Sequence, residues 1–333
     1  MSENVKNEKG KEEEKMKEYL PEGKLCETEE NRAALSAPET LREAMKAGKL
    51  LEAPMLSADS ALTAELALGE EAVGVMPVGE SVLLQPGEKF KEIAVIGRVG
   101  KPTVFRILGE LSPAEGKARF LVSRRAAQLA CKEGYIDRLL PGDVIDCTVT
   151  HLEQYGAFCD VGCGCFALLP VDCLSVSRIP HPSERLAVGD TVRAAVKYRD
   201  RFGRLFLTRR ELCGTWEENA AFFSVGQTVT GTVRSAESYG IFVELTPNLA
   251  GLAEPTAGIR PGDAVSVYIK SILPEKMKVK LVIIGVCKKE NAGRTVPRFP
   301  IEEAEHLERW TYSPPGCVRE IGTVFDGDPS GRL

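Results

Sequence analysis

Two aromatic pairs with identical spacing are the side chains of this sequence best suited to recognising a ligand. Tyr155 and Phe158 lie in one Tyr-Gly-x-Phe segment, and Tyr239 and Phe242 lie in another, 84 positions later. Side chains alternate along a strand, so Phe158 points away from its small apolar neighbours and outward. An exposed ring can stack on an unpaired base, which contributes about 1 to 3 kcal/mol per base. The two pairs therefore predict contacts with single-stranded nucleic acid.

A dense group of basic residues follows the first pair. Between positions 193 and 210 seven basic residues oppose only Asp200, a local charge of +6: Arg193, Lys197, Arg199, Arg201, Arg204, Arg209 and Arg210. A phosphate backbone is attracted to such a surface. An aromatic plug at a barrel end, or an ordinary solvated strand face, would explain either feature alone. Their combination favours a nucleic-acid surface within 141–211.

Motifs for catalysis, cofactors and metals are missing from the sequence. It contains no phosphate-binding glycine loop, no dinucleotide-binding motif, no nucleophile elbow and no His-Glu-x-x-His segment. Three histidines lie far apart, at His151, His181 and His306. Four cysteines are candidate zinc ligands, but no Cys-x-x-Cys pair occurs among Cys159, Cys163, Cys165 and Cys173. We expect buried thiols, no catalytic residue, no cofactor and no metal.

Composition indicates a globular protein of several modules. The chain has 333 residues, 43% of them hydrophobic and 27% charged, with a net charge of -5 and ten cysteines. Its longest apolar run, Leu281 to Cys287, is far shorter than the roughly 18 residues that span a bilayer. The first residues lack the apolar core of a secretory signal. These features predict reduced thiols and a cytoplasmic protein without membrane contact.

An internal repeat and a period of two predict the fold. Residues 142–161 match residues 226–245 at seven of twenty positions, including both Tyr-Gly-x-Phe segments. In the first copy Ile145, Cys147 and Val149 share one strand face. About five short strands in some 70 residues favour a small closed barrel, because closure removes exposed sheet edges. A degenerate copy without the aromatic motif precedes these two.

The predicted organisation is therefore mainly β, with barrels joined by short helices. Thr215 and Glu218 form a capping box for a helix from Trp216 to Phe223. Residues 1–30 contain ten acids and six lysines, which predicts disorder. The segments are a disordered tail (1–36), a degenerate first module (37–125), a linker helix (126–140), a second module (141–211), a linker helix (212–224), a third module (225–286) and an irregular tail (287–333).

At these motifs the sequence resembles the OB-fold RNA-binding module repeated in the bacterial small-subunit ribosomal protein S-one family. The matching segments are Pro141-Gly142-Asp143-Val144, Tyr155-Gly156-Ala157-Phe158, Val188-Gly189-Asp190, Asp200-Arg201-Phe202-Gly203-Arg204, Tyr239-Gly240-Ile241-Phe242 and Gly251-Leu252-Ala253. The resemblance covers about 225 to 240 residues and suggests a short, three-module form. It implies tandem five-stranded OB-fold barrels in which RNA is bound by Tyr155, Phe158, Asp200 and Arg204, and by Tyr239 and Phe242 in the next module.

Two positions depart from the family pattern. A histidine often follows the Gly-Leu-x element in the family, where this chain has Pro170 and Glu254. Glu254 would repel phosphate, so the third module is expected to bind RNA weakly or to contact proteins. The resemblance implies a non-enzymatic protein that binds single-stranded mRNA and helps the small ribosomal subunit engage it. An RNA-binding factor in RNA turnover or transcription control, and a protein-interaction scaffold, remain as alternatives.

Overall fold

The computed structural model describes residues 18–84, 87–114, 116–287 and 303–325. They form two compact units. The first contains the described residues up to Leu139 together with Asp160–Phe166, and the second contains Leu140–Cys159 and the described residues from Ala167 onward. The fold is mainly β, as predicted, with three closed five-stranded barrels. Each barrel orders its strands first, second, third, fifth, fourth and back to first, as expected for tandem OB-folds.

The first barrel closes around aromatic and aliphatic side chains. Phe105 and Phe120 are fully buried at its centre, and Leu41 packs against them from a preceding helix. The parallel contact between its third and fifth strands completes the closure. Its strands are β1 (Leu51–Ala58), β2 (Ala64–Ala67), β3 (Ala72–Met76), β4 (Pro102–Ala114) and β5 (Lys117–Ser123).

The second barrel confirms the alternation read from the sequence. Ile145, Cys147 and Val149 are buried on one face of its first strand. Small residues fill the equivalent inward positions of the next strand, which allows a narrow barrel to close. Its strands are β6 (Val144–Glu153), β7 (Gly156–Gly162), β8 (Cys165–Pro170), β9 (Thr191–Arg199) and β10 (Leu205–Thr208).

The third barrel repeats this plan and adds aromatic residues from outside its strands. Trp216 and Trp310 are both buried in its core cluster, together with Val243 and Leu281. Its strands are β11 (Thr228–Glu237), β12 (Gly240–Thr246), β13 (Leu249–Ala253), β14 (Ala264–Leu273) and β15 (Lys278–Val286).

Two short helices connect the barrels, and three others lie before or within the first barrel. Helices α1 (Glu29–Ala34) and α2 (Pro38–Lys46) precede the first barrel, α3 (Ile93–Ile96) lies between β3 and β4, α4 (Arg124–Gly134) joins the first barrel to the second, and α5 (Trp216–Ala220) joins the second to the third. The capping box predicted for α5 is present, because Thr215 and Glu218 bond each other's backbone N–H, but the helix ends three residues before Phe223. Single 3-10 turns occupy Leu25–Glu27, Val78–Glu80, Ile136–Arg138, Val171–Cys173, Pro182–Glu184, Arg210–Cys213 and Pro274–Lys276. None of the helices in the described ranges has the length and apolar character to cross a membrane.

The prediction of a disordered tail over 1–36 is wrong for residues 18–36. The Glu22 side chain is buried and accepts hydrogen bonds from the Arg124 guanidinium at 2.7 and 2.9 Å, while Arg98 lies 2.8 Å away. Asn31 exchanges two hydrogen bonds with the backbone of Glu52. An acidic residue can be buried when a cation compensates it, and composition alone does not show these distant partners. Residues 1–17 lie outside the described residues.

The prediction of an irregular tail over 287–333 also needs correction. Strands β16 (Arg309–Thr311) and β17 (Gly322–Val324) pair within residues 303–325. Trp310 and Tyr312 are buried against the third barrel, and the Tyr312 hydroxyl donates to the Asn248 carbonyl at 2.6 Å. The sequence pattern does not predict this sheet, because the segment is rich in turn-forming and charged residues. The sheet is held by packing of the Trp310 and Tyr312 rings against the third barrel. Residues 288–302 and 326–333 lie outside the described residues.

Candidate nucleic-acid interface

The first aromatic pair lies on the outer surface of the second barrel. Tyr155 occupies the turn between β6 and β7 and is 57% exposed, whereas Phe158 is half-buried on β7. Their ring centroids are 6.1 Å apart and their planes meet at 86°, an edge-to-face contact. Gly156 permits this turn, because a Cβ atom there would lie 2.6 Å from the Leu169 carbonyl oxygen. Edge-to-face packing covers only one ring face, so other faces remain available to a base.

The second aromatic pair reproduces this geometry on the third barrel. Tyr239 is 68% exposed, and its ring centroid lies 6.2 Å from that of Phe242 at 83°. Gly240 is again confined, since a Cβ atom would lie 2.8 Å from the Ala253 carbonyl oxygen. The Tyr-Gly-x-Phe segment therefore specifies one local structure in both barrels.

Asp200 organises the turn between β9 and β10. Its carboxylate accepts hydrogen bonds from the backbone N–H groups of Phe202 and Arg204, at 2.9 and 3.0 Å, and from the Arg204 side chain at 2.7 Å. Burial raises the pKa of Asp200, but these hydrogen bonds outweigh it and hold the pKa below its usual value. Arg201 and Arg204 lie over the exposed Phe202 ring, 4.8 and 5.3 Å from its centroid. Asp200 thus positions a ring and two cations.

The remaining basic residues of the predicted cluster are placed differently. Arg193 lies on β9, five residues before Tyr198. Its guanidinium donates to the Ala304 carbonyl at 2.9 Å, and its Nε lies 3.6 Å from the Asp146 carboxylate. Lys197 donates to the Cys173 sulfur at 3.3 Å. Arg199 ends β9. The turn residues Arg201 and Arg204 therefore form the exposed basic group of this cluster, whereas Arg193 packs against the C-terminal segment.

Three aromatic neighbours were missed by the sequence analysis. The His151 ring lies beside that of Phe158, with centroids 6.4 Å apart and planes that differ by 29°. Tyr198 and Phe206 stack on each other on the adjacent strands β9 and β10. Alternation with buried Leu207 could have shown that Phe206 faces outward, whereas Tyr198 shares the parity of buried Val196 and faces outward only because the strand pairing shifts between these two residues. None of the three belongs to a Tyr-Gly-x-Phe segment.

The first barrel presents no comparable aromatic surface on its strands. Both aromatic residues of β1 to β5, Phe105 and Phe120, are fully buried in the core. Its exposed apolar residues are aliphatic, such as Leu56 and Leu108. The stacking geometry of the other two barrels is therefore absent from these strands.

The cysteines are mostly buried thiols. Cys159, Cys163 and Cys173 are buried and Cys165 is half-buried. The thiols of Cys163 and Cys165 contact Cys131, and these contacts, together with burial, raise the pKa of Cys131. Within the described ranges no group of three or more His, Cys, Asp or Glu side chains is arranged to hold a metal ion.

Comparison with known proteins finds a family match at the second barrel. Residues 139–210, which contain this barrel, match the model of the S1 RNA binding domain. Two similar curated proteins are ribosomal proteins. The chain is 31% identical over 189 residues to the small ribosomal subunit protein bS1 of Leuconostoc lactis, covering 52% of this chain and 43% of that protein. It is 30% identical over 199 residues to bS1 of Staphylococcus saprophyticus, covering 55% and 50%.

The similarity is partial in extent. The chain spans about half the length of the curated relatives it matches. Among solved structures, GSP13 from Bacillus subtilis is 28% identical to the matched part of this chain. The match covers 22% of this chain and 57% of GSP13, with a TM-score of 0.21. The family match covers residues 139–210 and thus the second barrel.

Proposed function

We propose that this protein binds single-stranded RNA on the outer face of its second barrel and helps the small ribosomal subunit bind mRNA in the cytoplasm. It acts without catalysis. The observation that carries the proposal is the outward pair of exposed Tyr155 and half-buried Phe158 on a barrel that matches the S1 RNA binding domain and also presents Arg201 and Arg204. The bS1 relatives support the ribosomal part.

The chemistry of this face suits tolerant binding rather than reading of a sequence. Every base offers a π-face to an aromatic ring, and guanidinium groups attract any phosphate. The outward position of the rings also requires a base that is unpaired, because a paired and stacked base hides its faces. We therefore expect preference for single strands over duplexes, with little dependence on base sequence.

The proposal can be tested with the full chain and a labelled 12-nucleotide oligouridine. Fluorescence anisotropy across a series of salt concentrations should show binding that weakens as salt rises, and a blocked RNA duplex should bind much less well. Absence of binding to the oligouridine, or equal affinity for the duplex, would reject the RNA-binding function.

A second assay separates ribosomal action from the alternative of an RNA-binding factor off the ribosome. The protein is mixed with purified small ribosomal subunits and centrifuged through a sucrose gradient. Co-sedimentation that survives ribonuclease treatment of unprotected RNA supports the ribosomal role. RNA binding without co-sedimentation would favour a role in RNA turnover or transcription control.

Replacing both arginines of the exposed turn should change the electrostatic part of binding. In Arg201→Ala/Arg204→Ala the slope of log K against log salt should flatten by about one to two units, because each cation that contacts phosphate releases about one counterion. Anisotropy titrations at four or more salt concentrations measure this slope.

A matched variant removes the same charge elsewhere. Arg42 and Arg309 are exposed and each pairs with a carboxylate, at 2.8 and 3.0 Å, as Arg204 does at 2.7 Å. Arg42→Ala/Arg309→Ala should leave the slope near that of the unaltered protein. Equal flattening in both double variants would show that net charge, rather than this turn, governs binding.

The two aromatic pairs are expected to contribute unequally. Glu254 is exposed immediately after β13, and the basic residues near the third barrel's last strand are lysines, which lack the planar donors of arginine. In the full chain, Tyr239→Ala/Phe242→Ala should therefore weaken oligouridine binding less than Tyr155→Ala/Phe158→Ala. An equal or larger loss from the third-barrel variant would contradict this division, and no loss would suit a barrel that contacts protein.

A further inference from the structure

A second pair of rings lies on the same barrel as Tyr155 and Phe158 and belongs to no Tyr-Gly-x-Phe segment. Tyr198 on β9 and Phe206 on β10 are direct partners across the two strands. Their centroids are 4.6 Å apart and their planes differ by 10°, so the rings are stacked in parallel. Both side chains are half-buried: Phe206 lies between buried Leu205 and Leu207, and a shift of the strand pairing after Val196 turns Tyr198 to the same face as Phe206. The pair therefore belongs to the outer surface and not to the core.

Strand register places this pair in line with Phe158. Strand β8 lies between β7 and β10, and Phe206 is the direct partner of Leu168 on β8. In the third barrel Phe242 is the partner of Leu252, and the 84-residue repeat makes Phe158 and Leu168 the equivalent positions. Two strand spacings then separate Phe158 from Phe206, about 10 Å. One extended RNA strand can lie across both sets of rings.

Positive charge accompanies the second pair. The Lys197 ammonium lies 5.9 Å from the centroid of the Tyr198 ring. Arg201 and Arg204 lie in the turn that joins β9 to β10, directly before Phe206. A base on these rings would therefore have cations within reach of its phosphates.

The third barrel lacks this pair although it keeps the first one. Lys280 is the partner of Leu252 there, as Phe206 is of Leu168, and Lys280 in turn faces Ser271 on β14. A stacked pair needed only to close a barrel of this type would be expected in both copies. Its restriction to the second barrel, beside the exposed arginines, indicates a function of that face.

We propose that Tyr198 and Phe206 form a second base-stacking site that extends the RNA-binding face of the second barrel across β8. The inference rests on the proposed RNA-binding function. Phe158 with Tyr155 holds one base, and the Tyr198 and Phe206 pair holds another base of the same strand. The second barrel then binds a longer RNA segment than the third.

The test uses full-chain variants that keep apolar volume but remove the rings. Tyr198→Leu/Phe206→Leu should weaken binding of a 12-nucleotide oligouridine by about 5- to 150-fold, as expected for loss of one stacked base. The slope of log K against log salt should stay unchanged, because no cation is removed. Tyr198→Phe/Phe206→Tyr keeps both rings and should bind like the unaltered protein.

A control variant and a second measurement keep the proposal falsifiable. Tyr268 is an outward tyrosine on β14 that faces Val282, and Tyr268→Leu should leave affinity unchanged. In the unaltered protein, 4-thiouridine RNA should photocross-link to Tyr198 or Phe206, whatever the stability of the variants. If the unaltered protein binds RNA but the Leu variant binds equally well, or cross-links form only at Tyr155 and Phe158, this inference is wrong. If the unaltered protein binds no RNA, the proposed function itself fails.

Discussion

Phe158→Ala and Tyr155→Ala are each expected to weaken binding of single-stranded RNA by about 1 to 3 kcal/mol, roughly 5- to 150-fold. Each change removes a ring from the outer surface and leaves the buried alternate positions of β7 untouched. Anisotropy titration of the full chain with oligouridine measures the loss, and circular dichroism reports whether the barrels remain folded.

Conservative variants at the same positions separate stacking from simple apolar contact. Tyr155→Phe and Phe158→Tyr keep the ring and should preserve affinity, whereas Phe158→Leu keeps apolar bulk and should bind nearly as weakly as Phe158→Ala. Unchanged affinity in both alanine variants, with normal circular dichroism, would eliminate these rings as the RNA contact.

Arg124→Ala should destabilise the first unit by about 3 to 5 kcal/mol, because it leaves a buried carboxylate with less compensation. Only 3% of the Arg124 side chain and 5% of the Glu22 side chain are exposed. Burial raises the pKa of Glu22, but the charge and hydrogen bonds of Arg124, with Arg98 and the Val104 N–H, outweigh it and lower the pKa. The pair therefore contributes fully above the ordinary carboxyl pKa and is lost as pH falls through the lowered value.

Urea unfolding followed by far-ultraviolet circular dichroism, with hydrogen exchange of residues 18–34, measures this effect. The chain has two tryptophans, Trp216 and Trp310, and both lie in the third-barrel core, so their fluorescence reports on that barrel separately. Arg125→Ala is the matched control. The Arg125 guanidinium is next to Arg124 in sequence and forms a more exposed ion pair with Glu80 at 2.8 Å, which contributes at most about 1 kcal/mol. Equal destabilisation by the two variants would show that burial of the pair around Arg124 is unimportant.

Local sequence patterns predicted much of the fold and part of the candidate site. The alternation at Ile145, Cys147 and Val149 correctly predicted the inward face of β6, and the repeat predicted barrels of one type. The outward position of Phe158 followed from the same alternation, because successive side chains of a regular strand point to opposite faces. Its role in RNA binding stays a prediction.

Charge and composition were poorer guides because they do not specify partners. The basic cluster looked continuous in the sequence, yet Arg193 bonds the Ala304 carbonyl, 111 positions away, whereas Arg204 bonds Asp200 within its own turn. The C-terminal segment looked irregular, and only the burial of Trp310 and Tyr312 against the third barrel revealed an ordered sheet. Such contacts arise when distant segments meet, and no local pattern encodes them.

The sequence by itself determined the mainly β class, the tandem barrels and the repeated Tyr-Gly-x-Phe turns, since strand alternation and glycine turns act over a few residues. Only the tertiary structure placed Tyr198 against Phe206, because cross-strand register decides which rings touch. It also decided that Glu22 is buried, since its partner Arg124 lies 102 positions away and a carboxylate enters a protein interior only where a cation meets it.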